Sequence, residues 1–80
     1  NKEALYNLGV LSIQTAQYQN AVNRFNQIIA IDSSDKRAYL QLGISHYYLE
    51  NFNLSDSIFK NIKESNDSLL INELNIFLSN

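Results

Sequence analysis

An all-α protein built from short helical hairpins is the fold that this sequence predicts, on three observations. Apolar residues recur at steps of three and four in five successive segments, which is the spacing of one face of an α-helix. Short runs of Asn, Asp and Ser separate these segments, and such residues favour turns and helix N-caps. The small and apolar residues of the first pair of segments then return, in the same order, in the next pair. No segment shows the clean alternation that is typical of a strand.

The composition is that of one small domain. The 80 residues are 45% hydrophobic, carry a net charge of −2 and include no cysteine and no proline. Disulfides and cysteine metal sites are therefore excluded, and the six scattered basic residues argue against nucleic-acid binding. The apolar runs are far shorter than the roughly 18 residues of a membrane span, so we expect no membrane insertion. The chain does not begin with methionine, and we expect it to be a segment of a longer protein.

The first two helices are predicted over residues 3–15 and from about residue 20 to residue 31. In the first helix, Leu5, Leu8 and Ile13 recur at helical spacing. Three neighbours extend its apolar surface over more than half of the circumference, namely Tyr6, Val10 and Leu11. The second helix has a narrower apolar face, formed by Ala21, Phe25, Ile28 and Ile29.

Three further helices are predicted in the rest of the chain. One covers about residues 36–49 and is apolar nearly all round, which is typical of a helix packed between neighbours or lining a groove. The next ends near residue 64, and the last runs from about residue 70 to the end. The turns before the third and fifth helices, at residues 32–35 and 65–68, are interpreted as capping turns. The last helix carries one apolar stripe, formed by Leu70, Leu74, Phe77 and Leu78.

The repeat is registered through the whole unit. A shift of 34 residues pairs Leu8-Gly9 with Leu42-Gly43. The same shift pairs Ala4 with Ala38, Tyr18 with Phe52, Ala21 with Ser55, Phe25 with Phe59, Ile28 with Ile62 and Asp32 with Asn66. The chain has only these two glycines, although a glycine inside a helix costs roughly 1 kcal/mol relative to alanine. We therefore predict a close helix crossing at each glycine, with Ala21 and Ser55 as the small counterparts. Phe25 and Phe59 are predicted to fill the space between hairpins.

On these residues the chain resembles the tetratricopeptide repeat family, whose repeat folds as a helix–turn–helix hairpin. Leu8-Gly9 and Leu42-Gly43 match the signature of its first helix, and Tyr18 and Phe52 match the aromatic residue before its second. The resemblance implies two stacked hairpins, at residues 2–35 and 36–69, and a solvating helix at residues 70–80. Together they would form a fragment of a right-handed α-solenoid. The chain departs from the family at three positions of the repeat. Leu5 and Tyr39 replace its usual tryptophan, and Ser12 and His46 replace its usual tyrosine. Ser33 and Asp67 replace the proline at the repeat boundary.

No group of residues predicts an enzyme or a cofactor site. His46 is the only histidine and no second ligand accompanies it, so we interpret it as a packed side chain hydrogen-bonded to a neighbour. Asp32 and Asp35 fall in a turn between helices, where helix capping explains them. Nothing resembles a nucleophile beside a base, a phosphate-binding loop or a metal cluster. We therefore expect a protein that is not an enzyme.

The family resemblance implies that the chain binds another protein. In that fold the first helices line a concave groove, and the residues at those positions are Tyr6, Asn7, Val10, Ile13, Gln14, Arg37, Leu40, Gln41, Ile44, Tyr47 and Tyr48. The set is aromatic and aliphatic with few charges, and tyrosines are enriched in protein interfaces. We expect this groove to bind a peptide or helix of a partner protein. The alternative is self-assembly, in a homo-oligomer or a longer array, through the same surface or through the stripe on the last helix.

Overall fold

Five α-helices and no strands make up the structure, a computed structural model that describes all 80 residues. The helices are α1 Lys2–Gln14, α2 Tyr18–Ile31, α3 Lys36–Tyr48, α4 Phe52–Glu64 and α5 Ser68–Ser79. The prediction of an all-α protein is therefore confirmed. The fifth helix begins at Ser68, earlier than the sequence indicated. None of the five has the length and apolar character that a bilayer crossing requires.

Consecutive helices pack side by side, and the third lies at the centre. The main packing is of α1 on α2, α2 on α3 and α3 on α4, across connections of only three or four residues. Such short connections make neighbours antiparallel, and Lys2 Nζ in the first turn of α1 lies 2.8 Å from Asp32 Oδ2 after the end of α2. The fifth helix contacts α3 and α4, and α1 also contacts α3. Since every other helix contacts α3, its nearly all-round apolar sequence is explained.

Three helices begin with the same cap. The side chains of Asn1, Asp35 and Asp67 each accept a hydrogen bond from the backbone N–H three residues further on, at 3.2 Å in every case. These residues cap α1, α3 and α5, so equivalent positions in the three helices can be identified by counting from the cap. Asp35 follows Asn1 by one full repeat, whereas Asp67 comes two positions too early to continue it. This shorter spacing explains why α5 begins before the predicted boundary.

The repeat also extends to the backbone of the turns. Ala16 and Glu50 are equivalent positions of the repeat, and both have a left-handed backbone, with φ of 60° and 62°. The residues after them close the preceding helices through the same hydrogen bond, from Gln17 N to Ser12 O at 2.7 Å and from Asn51 N to His46 O at 2.9 Å. Neither alanine nor glutamate favours this conformation, so the sequence gives no sign of it.

The core consists of two apolar clusters. The first joins α2 to α3, and its buried members are Ala21, Val22, Phe25, Ile28, Ala38 and Leu42. The second joins α3, α4 and α5, and its members are Leu40, Phe59, Ile62, Leu70 and Leu74. Leu70 and Leu74 are therefore not available for self-assembly, and that part of the prediction is wrong. They are buried because α5 turns this stripe inward onto α4, while Leu78 remains 46% exposed.

Each glycine makes room for a phenylalanine ring. A Cβ atom on Gly9 would lie 2.5 Å from Cζ of Phe25, and one on Gly43 would lie 2.7 Å from Cε1 of Phe59. The close approach predicted from the two glycines is confirmed. Its nearest neighbour is the phenyl ring, however, and not the small residue at Ala21 or Ser55. Phe25 thus lies against Gly9 within its hairpin and also packs in the cluster shared with α3.

Candidate functional site

The residues predicted to line a groove lie on α1 and α3, in three different environments. Leu40 is only 1% exposed, within the cluster that α5 closes, so the prediction that it lines an open groove is wrong. The half-buried members are Tyr6, Val10, Ile13, Gln41 and Ile44. The exposed members are Asn7, Gln14, Arg37, Tyr47 and Tyr48. Leu40 is buried because α5 covers this part of α3. The sequence did not indicate this cover, because it predicted that α5 begins two residues later than it does.

One group of these residues forms around Tyr6. The guanidinium of Arg37 lies over the Tyr6 ring, 4.6 Å from its centroid, and Arg37 Nη2 is 2.9 Å from Oε1 of Glu3. The Tyr6 ring also makes an edge contact with Phe25, at 5.8 Å between centroids. Burial raises the pKa of the Tyr6 phenol above its ordinary value, and the neutral hydroxyl can donate a hydrogen bond. This end of the surface is thus a fixed ring with one charged neighbour on top.

The other group is an aromatic cluster at the far end of α3, formed by Tyr18, Tyr47, Tyr48, Phe52 and Phe77. Tyr18 and Tyr48 are stacked, with centroids 4.7 Å apart and planes inclined by 10°. Tyr47 makes edge contacts with Phe52 at 5.4 Å and with Phe77 at 5.3 Å. Phe77 also contacts Tyr48 at 5.8 Å and Phe59 in the core at 6.0 Å. The cluster therefore connects α2, α3, α4 and α5.

The aromatic cluster contacts the core on one side through Phe77 and is exposed to solvent on the other. Tyr47, Tyr48 and Phe52 are 41%, 44% and 47% exposed. A cavity of about 190 Å³ opens beside them, and its lining is Tyr47, Tyr48, Phe77, Leu78 and Asn80. Because the rings already restrict one another, little side-chain freedom remains to be lost when a ligand binds. Rigid, half-exposed tyrosines of this kind are suitable anchors for an apolar partner.

The predicted groove is a shallow surface and not a single pocket. Arg37 and Tyr48 lie eleven residues apart on α3, which corresponds to about 16 Å along the helix. The largest cavity, of about 490 Å³, lies elsewhere, near the starts of α3 and α5, and is lined mainly by polar and charged residues. A further cavity of about 300 Å³ lies between Tyr39 and Ile58. Of the predicted residues, only Arg37, Tyr47 and Tyr48 line any cavity.

Three members of the aromatic cluster were not predicted as site residues, namely Tyr18, Phe52 and Phe77. Tyr18 and Phe52 share one position of the repeat, and that position is next to the end of the preceding helix. For Phe52 that helix is α3, so its position was a signal that could have placed it near Tyr47. Tyr18 follows α1, and its position gives no such signal for Tyr48. The sequence places Phe77 in the self-assembly stripe, whereas counting from the cap at Asp67 puts it three residues beyond the buried Leu74.

The polar residues considered for chemistry have structural surroundings. His46 is half-buried, and its Nδ1 lies 3.2 Å from Nδ2 of Asn51, so the prediction of a packed, hydrogen-bonded histidine is confirmed. Burial lowers the pKa of His46. Asp35 caps α3, and Asp32 accepts hydrogen bonds from Ser34, which confirms the capping turn. No three His, Cys, Asp or Glu side chains are grouped so that they could hold a metal ion.

Comparisons with other proteins give this chain no family. Neither protein-family models, nor curated proteins, nor solved structures match it. The Tyr6 group and the aromatic cluster are therefore the basis for a proposed function.

Proposed function

We propose that this chain is a non-enzymatic protein-interaction module of the tetratricopeptide repeat type. Its two hairpins and α5 would be a fragment of a right-handed α-solenoid. The sequence repeat supports this proposal, because it recurs in the glycine–phenylalanine contacts at Gly9 and Gly43 and in the left-handed turns at Ala16 and Glu50. The surface from Tyr6 to the aromatic cluster would bind an apolar peptide or helix of a partner protein.

The aromatic cluster is the observation that carries the proposal. Tyr47 and Tyr48 expose more than two-fifths of their surface although both rings are fixed by neighbours. Tyrosine is enriched among the residues that dominate binding energy in interfaces, where a fixed aromatic side chain supplies a large contact area. A ring needed only for packing would gain more from complete burial. The partial exposure of these two rings therefore favours a partner.

The residues between the two ends define the kind of partner. Asn7, Gln14 and Gln41 offer uncharged amides, which both donate and accept hydrogen bonds and therefore suit a peptide backbone. Val10 and Ile44 lie among them and are only half-buried. Arg37, the only charged residue of the predicted set, is already paired with Glu3. This pattern favours an apolar segment over an acidic or phosphorylated one.

A displayed library of random peptides tests this function and does not require an identified partner. Selected peptides would be synthesised, and their Kd measured by fluorescence anisotropy for the unaltered protein, for Tyr47→Ala and for Tyr48→Ala. Each substitution should weaken binding about tenfold or more, the effect of losing an interface hot spot. Leu54→Ala is the matched control, because Leu54 is a 54% exposed apolar residue on α4 outside the proposed surface.

The same experiment contains the results that would reject the function. Failure to select any peptide would reject it, and so would equal losses in Leu54→Ala and Tyr47→Ala. Thermal melting of each variant separates binding from folding. Tyr6→Ala is a less clean probe, because the edge contact of Tyr6 with Phe25 makes a loss of stability certain to accompany any loss of binding.

Self-assembly is a second candidate, and two residues of α5 favour it. Leu69 and Ile76 are 77% and 56% exposed, and they lie seven residues apart, which places them near one face of the helix. Light scattering over a concentration series tests this candidate. Growth of the apparent mass with concentration, abolished by Leu69→Glu together with Ile76→Glu, would support it. A strict monomer at high concentration would reject it.

A further inference from the structure

The three helices that begin with a side-chain cap present the same face, which we call the cap-phased face. It consists of the third, seventh and tenth residues after the cap. These positions follow the i, i+4, i+7 spacing of one side of an α-helix. The residues are Ala4, Leu8 and Leu11 on α1, then Ala38, Leu42 and Ser45 on α3, then Leu70, Leu74 and Phe77 on α5.

Two of the three cap-phased faces are covered by a neighbouring helix. On α3, Ala38, Leu42 and Ser45 are 0%, 7% and 0% exposed, and the first two belong to the cluster formed with α2. On α5, Leu70 and Leu74 are 5% and 0% exposed in the cluster that contains Phe59 and Ile62 of α4. In both cases the helix that precedes in the chain contributes to the cover, and on α5 Leu40 of α3 contributes as well.

The cap-phased face of α1 is bare. Ala4 is exposed, and Leu8 and Leu11 are 44% and 53% exposed. No charged residue occurs between Glu3 and Arg24, so the whole exposed side of α1 after its first turn is uncharged. An exposed helix normally carries charges, as α4 does with its exposed residues Asp56, Lys60, Lys63 and Glu64. The side of α1 thus has the composition of a packed face and the exposure of a surface.

The helices that cover the other two faces share one pattern. Each presents a small residue, then Phe four positions later, then Ile three positions after that. In α2 these are Ala21, Phe25 and Ile28, and in α4 they are Ser55, Phe59 and Ile62. All six are at most 5% exposed. We propose that the cap-phased face of α1 binds a third helix of this pattern, the second helix of another hairpin of the same repeat.

The start of α1 is compatible with such a neighbour. Asn1 caps α1 through the same 3.2 Å hydrogen bond by which Asp35 caps α3. Asp35 is the last residue of the turn that leads from α2 into α3. A helix of the α2 type joined to Asn1 through residues equivalent to 32–34 would therefore meet α1 as α2 meets α3. The inference rests on the repeat architecture of the proposed function and not on peptide binding. Its surface is separate from the one that contains Tyr47 and Tyr48, so each surface can be tested alone.

The test uses the absence of cysteine from the chain. A single Leu11→Cys substitution gives one thiol on the bare face, and its rate of reaction with a thiol reagent reports its exposure. The rate is compared between the 80-residue protein and an extended protein in which a copy of residues 1–34 precedes Asn1. A covered thiol reacts only when the structure opens locally, so we expect the rate to fall about tenfold or more. Leu54→Cys, with a native exposure of 54% on α4, should react equally in both proteins.

A matched variant shows whether the added helix acts through the proposed face. Val22 is buried in the cluster shared with α3, whereas its counterpart Asp56 is exposed on α4, so a hairpin of this type tolerates aspartate there. Val22→Asp in the added copy alone should restore the fast reaction of Leu11→Cys. Circular dichroism establishes that the added copy is helical in both extended proteins.

Two results would overturn the inference. One is an unchanged Leu11→Cys rate in an extended protein whose added copy is helical. The other is protection of Leu11→Cys in the 80-residue protein as its concentration rises, since a second copy of the chain would then occupy this face. Protection by the added copy, lost with Val22→Asp and absent on concentration, is the supporting result.

Discussion

The two hairpins share their internal contact but differ in how their second helices are covered. Gly9 with Phe25 and Gly43 with Phe59 are equivalent pairs. In α2, however, Val22 is buried and Ile29 half-buried, whereas their counterparts on α4, Asp56 and Lys63, are exposed. The reason is that α3 covers α2 more extensively than α5 covers α4. The neighbouring helix therefore decides whether a position of the repeat is buried or exposed. The residue at that position is accordingly apolar on α2 and charged on α4.

The largest effect should come from truncating the two phenylalanines. Phe25 is completely buried and Phe59 is 5% exposed, so Phe25→Ala should cost more than Phe59→Ala, within the range of about 3–5 kcal/mol. Urea denaturation gives the two free energies of unfolding. The milder pair Phe25→Leu and Phe59→Leu provides the same ranking if an alanine variant does not fold. A greater loss at Phe59 would show that coverage by α3 is not the main difference between the hairpins.

Alanine at the two glycines should have the next largest effect. A methyl group at Gly9 meets the ring of Phe25, and overpacking of this kind costs about 1–3 kcal/mol. The better helix propensity of alanine returns roughly 1 kcal/mol, so the net change is a moderate destabilisation. We expect Gly9→Ala to lower the melting temperature more than Gly43→Ala, because 2.5 Å is the closer approach.

A double substitution identifies the cause of that loss. Combined with Phe25→Leu, which removes the tip of the ring, Gly9→Ala should cost less than it does alone. Additive losses would mean that the methyl group acts on something other than the phenyl ring.

The smallest effect should be a difference in how stability depends on pH at two junctions. The first junction is the connection between α2 and α3, and the second is the connection between α4 and α5. Lys2 Nζ lies 2.8 Å from Asp32 and 3.1 Å from Asp35. At the second junction Asn66 stands in place of Asp32, and Lys36 forms no ion pair with Asp67, which caps α5 as Asp35 caps α3. The ion pair with Lys2 holds the pKa of the Asp32 carboxyl well below its usual range. A carboxyl whose pKa is lowered by folding stabilises the folded state at pH values above its unfolded pKa of about 3.9. This contribution is lost as the pH falls toward the pKa that the carboxyl has in the folded state.

Asp32→Asn should therefore flatten the decrease of the urea midpoint below about pH 4. The change should be small, because both side chains of the pair are about one-third exposed and solvent screens them. Asp56→Asn, at an exposed acidic residue of α4, is the control and should leave the pH profile unchanged. An equal flattening in both variants would mean that the acid sensitivity is not located at the first junction.

Most of the fold follows from local patterns in the sequence. Periodicity alone predicts the five helices, and the repeat of Gly9 at Gly43 predicts a close approach whose partner proved to be a phenyl ring. The start of α5 could not be read from the repeat, because the second unit is two residues shorter between its caps at Asp35 and Asp67. Leu40 is buried by α5. Because the repeat does not predict where α5 begins, it does not predict the burial of Leu40 either.

The candidate site was predictable only in part. Tyr6, Tyr47 and Tyr48 can be identified from their places on α1 and α3. The stacking of Tyr48 on Tyr18, which belongs to the preceding hairpin, depends on the tertiary packing of α3 on α2, and no local pattern specifies that packing. The same is true of Phe77, since its contacts with Tyr47 and Tyr48 require the actual register of α5.

The central position of α3 has a consequence for the speed of folding. The ion pairs Lys2–Asp32 and Arg37–Glu3 join residues of the same or the next hairpin, and every other helix contacts α3. Proteins with such local contacts close only short loops on the way to the native state, and helical examples fold in microseconds to milliseconds. We therefore expect either hairpin to start the reaction, and the transition state to include α3 whichever one does.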